Sequence, residues 1–133
     1  MAHILVVEDN PTNLKLVCDI LECEGHEVER AVDAEEALER IRASGPDLIL
    51  MDLGLPGMDG LSLTRILKAD AATREIPVVA LTAFAMKGDD LKAFEAGCDG
   101  YISKPIDTRT LPLQVAKFLG PSGARERSGT QLK

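Results

Sequence analysis

Three carboxylates end two apolar runs of this chain: Glu8 and Asp9 follow Ile4-Leu5-Val6-Val7, and Asp52 follows Leu48-Ile49-Leu50-Met51. If the two runs are neighbouring parallel strands, the three acids meet at the carboxyl edge of a sheet, where open α/β sheets bind ligands. Anions crowded in this way repel one another and stay ionised only with a cation among them, so the pattern asks for a hard metal held by oxygen. Mg²⁺ suits it, because that ion takes one or two carboxylates, keeps several waters and engages a substrate phosphate. A backbone carbonyl just past Asp52, that of Gly54, would complete the set. A carboxylate beside such a metal can attack a phosphoryl group and form an acyl phosphate once the phosphoryl oxygens are neutralised. Asp52 is the candidate nucleophile.

Two further strand ends add groups suited to an anion. Thr82 closes Val78-Val79-Ala80-Leu81, where its hydroxyl could hydrogen-bond a phosphoryl oxygen, and Lys104 stands between a fifth short run and Pro105. The Lys104 ammonium could bridge Asp52 at rest and the phosphoryl oxygens afterwards. Taken singly, each feature has an ordinary explanation: a solvated acidic loop, a helix-capping Asp, or Thr and Lys-Pro in turns. Taken together, those explanations leave open why the polar groups end four strands on one side of one sheet.

The elements that must position these groups alternate between short apolar runs and segments of helical period, the pattern of βαβ units around a parallel sheet. Strands are expected at His3-Val7, His26-Ala31, Asp47-Met51, Pro77-Thr82 and Gly100-Ser103, and the continuously apolar ones around Val6, Leu50 and Val79 read as central. Leu14, Val17, Cys18 and Leu21 form one helical stripe, and Ala34, Ala37, Leu38 and Ile41 a second. The first helix has Asn10 as N-cap and Pro11 at its first position, and the second has Asp33 with Glu36 in capping-box spacing. Leu63, Ile66 and Leu67 mark a third helix. Leu91 and Phe94 mark a fourth, with Gly97 suited to the left-handed position after it, and Leu111, Val115, Phe118 and Leu119 mark a fifth. Pro112 asks for a late start or a kink in that last helix. Residues 1–119 read as one domain, and residues 120–133 lose apolar periodicity and read as a disordered tail or an appended remnant.

Composition narrows the partners. At 133 residues with 45% hydrophobic and 28% charged side chains, the chain can bury a core without disulfides, and 3% aromatics makes that core aliphatic. A net charge of −7 with no basic stripe argues against nucleic acid. Cys18, Cys23 and Cys98 are odd in number and lack metal-site spacing, so buried or semi-buried thiols in a reducing compartment are expected. With no leader-like segment and no span-length apolar run, a cytoplasmic location and no membrane contact are expected. Gly54, Gly57 and Gly60 do not match a dinucleotide fingerprint and are expected to shape a tight loop at the site.

The chain resembles the receiver domain of two-component response regulators over roughly Ala2 to Leu119. The resemblance is carried by V-V-E-D-N (6 to 10), L-I-L-M-D-L-G-L-P-G-M-D-G (48 to 60), V-V-A-L-T-A (78 to 83) and Y-I-S-K-P-I (101 to 106). It implies a doubly wound, flavodoxin-like α/β fold with a five-stranded parallel sheet of order 2-1-3-4-5 and five helices. By the same resemblance Glu8 and Asp9 are the Mg²⁺ acids, Asp52 the phosphoacceptor, Thr82 the switch hydroxyl, Tyr101 the switch aromatic and Lys104 the active-site lysine. The implied donor is a histidine kinase or a histidine phosphotransfer protein. The implied output is a downstream protein target met through the fourth helix, fifth strand and fifth helix. Phe84, Met86 and Leu91, which cluster just after Thr82 in the sequence, are further candidates for that surface, with Met86 the better one for exposure and helix packing an equal reading for Leu91. Residues 82 to 89 and 98 to 106 are similar to single-domain cell-division regulators of the DivK type and to receivers attached to hybrid sensor kinases. Gly54 offers the phosphoryl group no side chain.

Two other functions fit parts of the pattern. A Mg²⁺-dependent phosphatase or phosphotransferase with an aspartyl intermediate would need a cap or deep pocket that this length does not supply. A flavodoxin-like cofactor carrier would need aromatic residues to stack a flavin. A signalling phosphoacceptor, not a turnover enzyme, is therefore expected.

Overall fold

Side chains along a strand point to alternate faces, so a strand buried on both sides feeds two cores at once. In the computed structural model, which describes residues 2–53, 60–82, 97–103 and 106–119, that is what the central strands do. The described elements are β1 (His3–Val7), α1 (Pro11–Cys23), β2 (Glu27–Ala31), α2 (Ala34–Ser44), β3 (Leu48–Asp52), α3 (Gly60–Ala69), β4 (Val78–Thr82), β5 (Gly100–Ser103) and α4 (Leu111–Leu119). All strand pairs are parallel, and the sheet order is β2-β1-β3-β4-β5. The helix expected around Leu91 and Phe94, the loop containing Gly54 and Gly57, Phe84, Met86, Lys104 and the tail from residue 120 lie outside the described residues.

Ile4, Val6, Leu48, Leu50, Val79 and Leu81 pack with α1 and α4 on one face. Leu5, Val7, Ile49, Met51, Val78 and Ala80 pack with α2 and α3 on the other. Burying each large aliphatic side chain contributes about 1.5–3 kcal/mol. The three middle strands therefore anchor the fold and fix the register at their carboxyl ends. Edge strand β2 is more polar: its Glu29 accepts from Ser44 Oγ at 2.7 Å and stands 3.1 Å from His3 Nε2. Such charge discourages pairing with another chain.

Several expectations need adjustment. Asp52 belongs to β3 itself, and His26 and Asp47 precede their strands. In α3 the buried stripe is Gly60, Leu63, Thr64 and Leu67, while Ile66 is 40% exposed. Thr64 is admitted to the core because its hydroxyl donates to the Gly60 carbonyl at 2.7 Å. The Asp33 cap holds the Glu36 N–H at 2.8 Å, but Glu36 reaches back one residue further than a capping box requires, to the Val32 N–H at 2.9 Å. The last helix starts late, at Leu111, after a turn in which Asp107 accepts from the Thr110 and Leu111 amides at 3.2 and 3.0 Å. Pro112 thus falls in the first turn, where a missing N–H costs nothing. Gly97 takes the left-handed conformation expected of it, with φ 110°. Cys18 and Cys98 are buried and Cys23 is exposed.

The helix α4 lies close on β5. A Cβ built at Gly100 would stand 2.2 Å from Phe118 Cζ. Gly100→Ala is expected to lower stability by about 1–3 kcal/mol through overpacking, read from denaturant midpoints. Combined with Phe118→Leu, the loss should be smaller than the sum of the two single losses, because the added methyl then meets a side chain that yields.

Candidate metal centre

The β1–β3 pairing ends at Val7↔Met51, so Glu8 and Asp52, one residue further on, stand level at the carboxyl edge. This junction is the switch point of the sheet, flanked by β2 on one side and β4 on the other. By strand alternation Glu8 continues the row of Ile4 and Val6, and Asp52 that of Leu48 and Leu50. Both acids thus share the sheet face covered by α1. The β1 line is held past its end by the Glu8 N–H, which donates to the Ala31 carbonyl at 3.0 Å. On the other side the Leu53 N–H donates to the Leu81 carbonyl at 3.2 Å, holding the chain just after Asp52 against β4.

Asn10 ties this edge to α1. Its side-chain carbonyl accepts from the Thr12 and Asn13 amides at 2.9 and 3.1 Å, capping the helix, while its own N–H donates to Glu8 Oε2 at 3.2 Å. The turn that starts the helix therefore also aims the first acid. Glu8 is 1% exposed and Asp52 7%, whereas Asp9 faces solvent.

One ligand oxygen from each of Glu8, Asp9 and Asp52 lies within 4.8 Å of the others. Oxygens on opposite sides of a Mg²⁺ ion stand about 4 Å apart, so this set closes on one ion with small side-chain adjustments. Three like charges at such spacing, two of them removed from water, repel strongly, and a divalent cation relieves the repulsion. The all-oxygen, all-carboxylate donor set fits a hard cation such as Mg²⁺ or Ca²⁺ and is a poor match for a thiophilic metal. The exposed Asp9 side leaves room for metal-bound waters and for an incoming phosphate.

The other expected site residues are placed as follows. Thr82 is the last residue of β4, paired in register with Ser103, the last residue of β5. That pairing brings the end of β5, immediately before Lys104, alongside Thr82. Tyr101 lies opposite Ala80 on β5 and is 37% exposed. Cys18 and Cys98 have their thiol pKa values pushed up chiefly by burial, so neither competes as a nucleophile near neutral pH.

Gly60, expected as a loop former, is instead the first residue of α3 and abuts the site from behind. A Cβ there would lie 2.6 Å from the Asp52 carbonyl oxygen and 3.0 Å from Leu53 Cα. Thr64, behind Gly60, had no signal in the sequence beyond its spacing of four residues.

A family model described as response regulator receiver domain matches residues 4–116. The polar-differentiation response regulator DivK of Brucella ovis is 46% identical over 117 residues, spanning 88% of this chain and 95% of that protein. The signal receiver domain of a signal transduction histidine kinase from Syntrophus aciditrophicus superimposes with a TM-score of 0.85 at 35% identity, covering 99% of this chain and 98% of that one. The receiver domain of a Pseudomonas aeruginosa sensor histidine kinase, solved with a magnesium ion coordinated in its active site cleft, has a TM-score of 0.82 at 35% identity, covering 90% of this chain and 98% of that one.

Proposed function

The chain belongs to the response regulator receiver domains, the phosphoacceptor modules of two-component signalling, and from that premise we propose that Asp52 takes the phosphoryl group with Mg²⁺ held by Glu8, Asp9 and Asp52. The observation that carries this is the meeting of three carboxylates within 4.8 Å at the β1–β3 switch point. The magnesium-bearing Pseudomonas receiver supports the choice of metal.

When bound, the ion neutralises the phosphoryl oxygens and so lowers the repulsion that an anionic nucleophile would otherwise meet. An Asp52 carboxylate oxygen attacks the phosphorus of a phosphohistidine, the P–N bond breaks, and the departing imidazole nitrogen keeps the electron pair and takes up a proton. The product is an acyl phosphate on Asp52. Glu8, fixed through Asn10, holds the inner side of the site, and Asp9 serves its solvent side. Thr82, the last residue of β4, and Lys104, which follows β5 in the sequence, would act on the transferred phosphoryl oxygens, the hydroxyl by hydrogen bonding and the ammonium by charge. The inward movement of Thr82 would make space that Tyr101 fills, altering the surface of β5 and α4 for a protein target. The donor is a histidine kinase or histidine phosphotransfer protein, and Gly54 would offer its backbone carbonyl to the metal as a further protein ligand. Among the described residues no helix is long and apolar enough to cross a membrane, and we place the action in the cytoplasm.

Intact-mass measurement after incubation with a small acyl phosphate and Mg²⁺ tests the proposal. One added phosphoryl group per chain is expected, with no uptake when the metal is chelated. Turnover of free phosphate esters at about 1–10³ s⁻¹, the usual enzymatic range, would identify a phosphatase instead.

A further inference from the structure

The contact between α3 and the back of Asp52 assigns a task to a residue without a side chain. We infer that Gly60 is a positioning residue for Asp52, setting where the carboxylate sits by letting the first turn of α3 rest directly on the backbone carbonyl of that residue.

The geometry leaves little freedom. A Cβ at Gly60 would approach the Asp52 carbonyl oxygen to 2.6 Å, Leu53 Cα to 3.0 Å and Met51 Cγ to 3.1 Å. Two of these three neighbours are backbone, and backbone in a paired strand cannot rotate away as a side-chain tip can. Asp52 is paired in register with Leu81 of β4 and follows directly on Met51, the last β3 residue paired with β1. Any added atom must therefore push either α3 outward or the end of β3 out of line with Glu8.

The helix is not free to retreat. The Thr64 hydroxyl, 0% exposed, donates to the Gly60 carbonyl at 2.7 Å and lies 3.8 Å from Cys98 Sγ. The Gly60 N–H, in turn, reaches back to the Leu53 carbonyl at 3.4 Å. Thr64 thus pins the first turn of α3 while Leu67 and Leu63 hold the rest of its buried face. Displacement falls on Asp52, and a misplacement of about 1 Å at a reacting group can cost about 100-fold in rate.

The inference rests on Asp52 being the phosphoacceptor, and the test keeps the two claims apart. Initial rates of phosphorylation by a small acyl phosphate at saturating Mg²⁺, Mg²⁺ dissociation constants and thermal midpoints are measured for wild type, Gly60→Ala, Thr64→Val, Thr64→Ser and Gly100→Ala. Gly60→Ala is expected to be slowed about 10- to 100-fold and to bind Mg²⁺ more weakly. Gly100→Ala, which strains the opposite end of β5, should lose stability without slowing. Thr64→Val, isosteric but unable to hold the Gly60 carbonyl, should slow uptake several-fold, and Thr64→Ser should restore it. A folded Gly60→Ala with wild-type rate and metal affinity overturns the inference. Should Gly60→Ala not fold, wild-type values for Thr64→Val overturn it, and a slow Thr64→Val rescued by Thr64→Ser upholds it. If wild type itself takes up no phosphoryl group, the assignment of Asp52 fails, and the Mg²⁺ constants of the same variants decide the role of Gly60.

Discussion

Asp52→Asn should leave a folded chain that takes up no measurable phosphoryl group from a small acyl phosphate and Mg²⁺. The amide keeps the shape of the carboxylate but loses its anionic oxygen, so it can neither attack phosphorus nor share the charge of a divalent cation. A loss on the order of 10⁴-fold or more is the scale on which removal of a nucleophile is felt. The site offers no ready substitute: Glu8 is 1% exposed and tethered through the Asn10 N–H, and Asp9 is committed to the solvent side. The same substitution has an opposite effect on stability when no metal is present. It removes one of three anions whose oxygens lie within 4.8 Å, so its thermal midpoint in chelator should exceed that of wild type. A variant that lost uptake by misfolding would show a lower midpoint.

Asp9→Asn should weaken Mg²⁺ binding by at least the about 10- to 100-fold that loss of mere outer-shell partners costs at metal sites. Asp9 is the better choice than Glu8 for this measurement because it is exposed, and its replacement disturbs no packing. Binding stabilises the folded state by mass action, about 2.7 kcal/mol at a hundredfold excess over the dissociation constant. Wild type should therefore gain several degrees in thermal midpoint on adding Mg²⁺ at that level, and Asp9→Asn should gain little at the same concentration. Equal gains in both would remove Asp9 from the metal site.

The central strands and the meeting of Glu8, Asp9 and Asp52 were legible because two strong signals coincide in the sequence, while the full order β2-β1-β3-β4-β5 was implied by the family resemblance. Strands such as Ile4-Val7 and Leu48-Met51 are apolar on both faces, and the acids begin where the apolar run stops. Capping was equally readable at Asn10 and Asp33, since the residue types that serve there are few. What periodicity could not show was Thr64, a polar residue placed in a buried stripe by a hydrogen bond to the carbonyl four residues back. Ile66 marks α3 as its spacing suggests, yet it lies 40% exposed, because periodicity locates a helix without showing how far a neighbour covers each apolar residue. Gly60 was visible as a glycine, but its purpose depends on an approach so close that an added Cβ would lie 2.6 Å from the carbonyl oxygen of a residue eight positions earlier in the chain, a fact of three-dimensional packing. The start of α4 was half legible. Pro112 asks for a late start or a kink in a helix capped by Asp107, and the intervening turn, with its Asp107 carbonyl accepting two amides, supplies the late start.

The role of Asp52 is tested most directly by locating the phosphoryl group. Wild-type chain is incubated with a small acyl phosphate and Mg²⁺, reduced with borohydride to convert any acyl phosphate into a stable alcohol, digested and mapped by tandem mass spectrometry. The expected product carries the reduced residue at position 52 and unmodified Glu8 and Asp9, and it disappears when Mg²⁺ is chelated. Modification at Glu8 or Asp9, or a reduction-resistant phosphoryl group on Thr82 or another side chain with Asp52 intact, would contradict it.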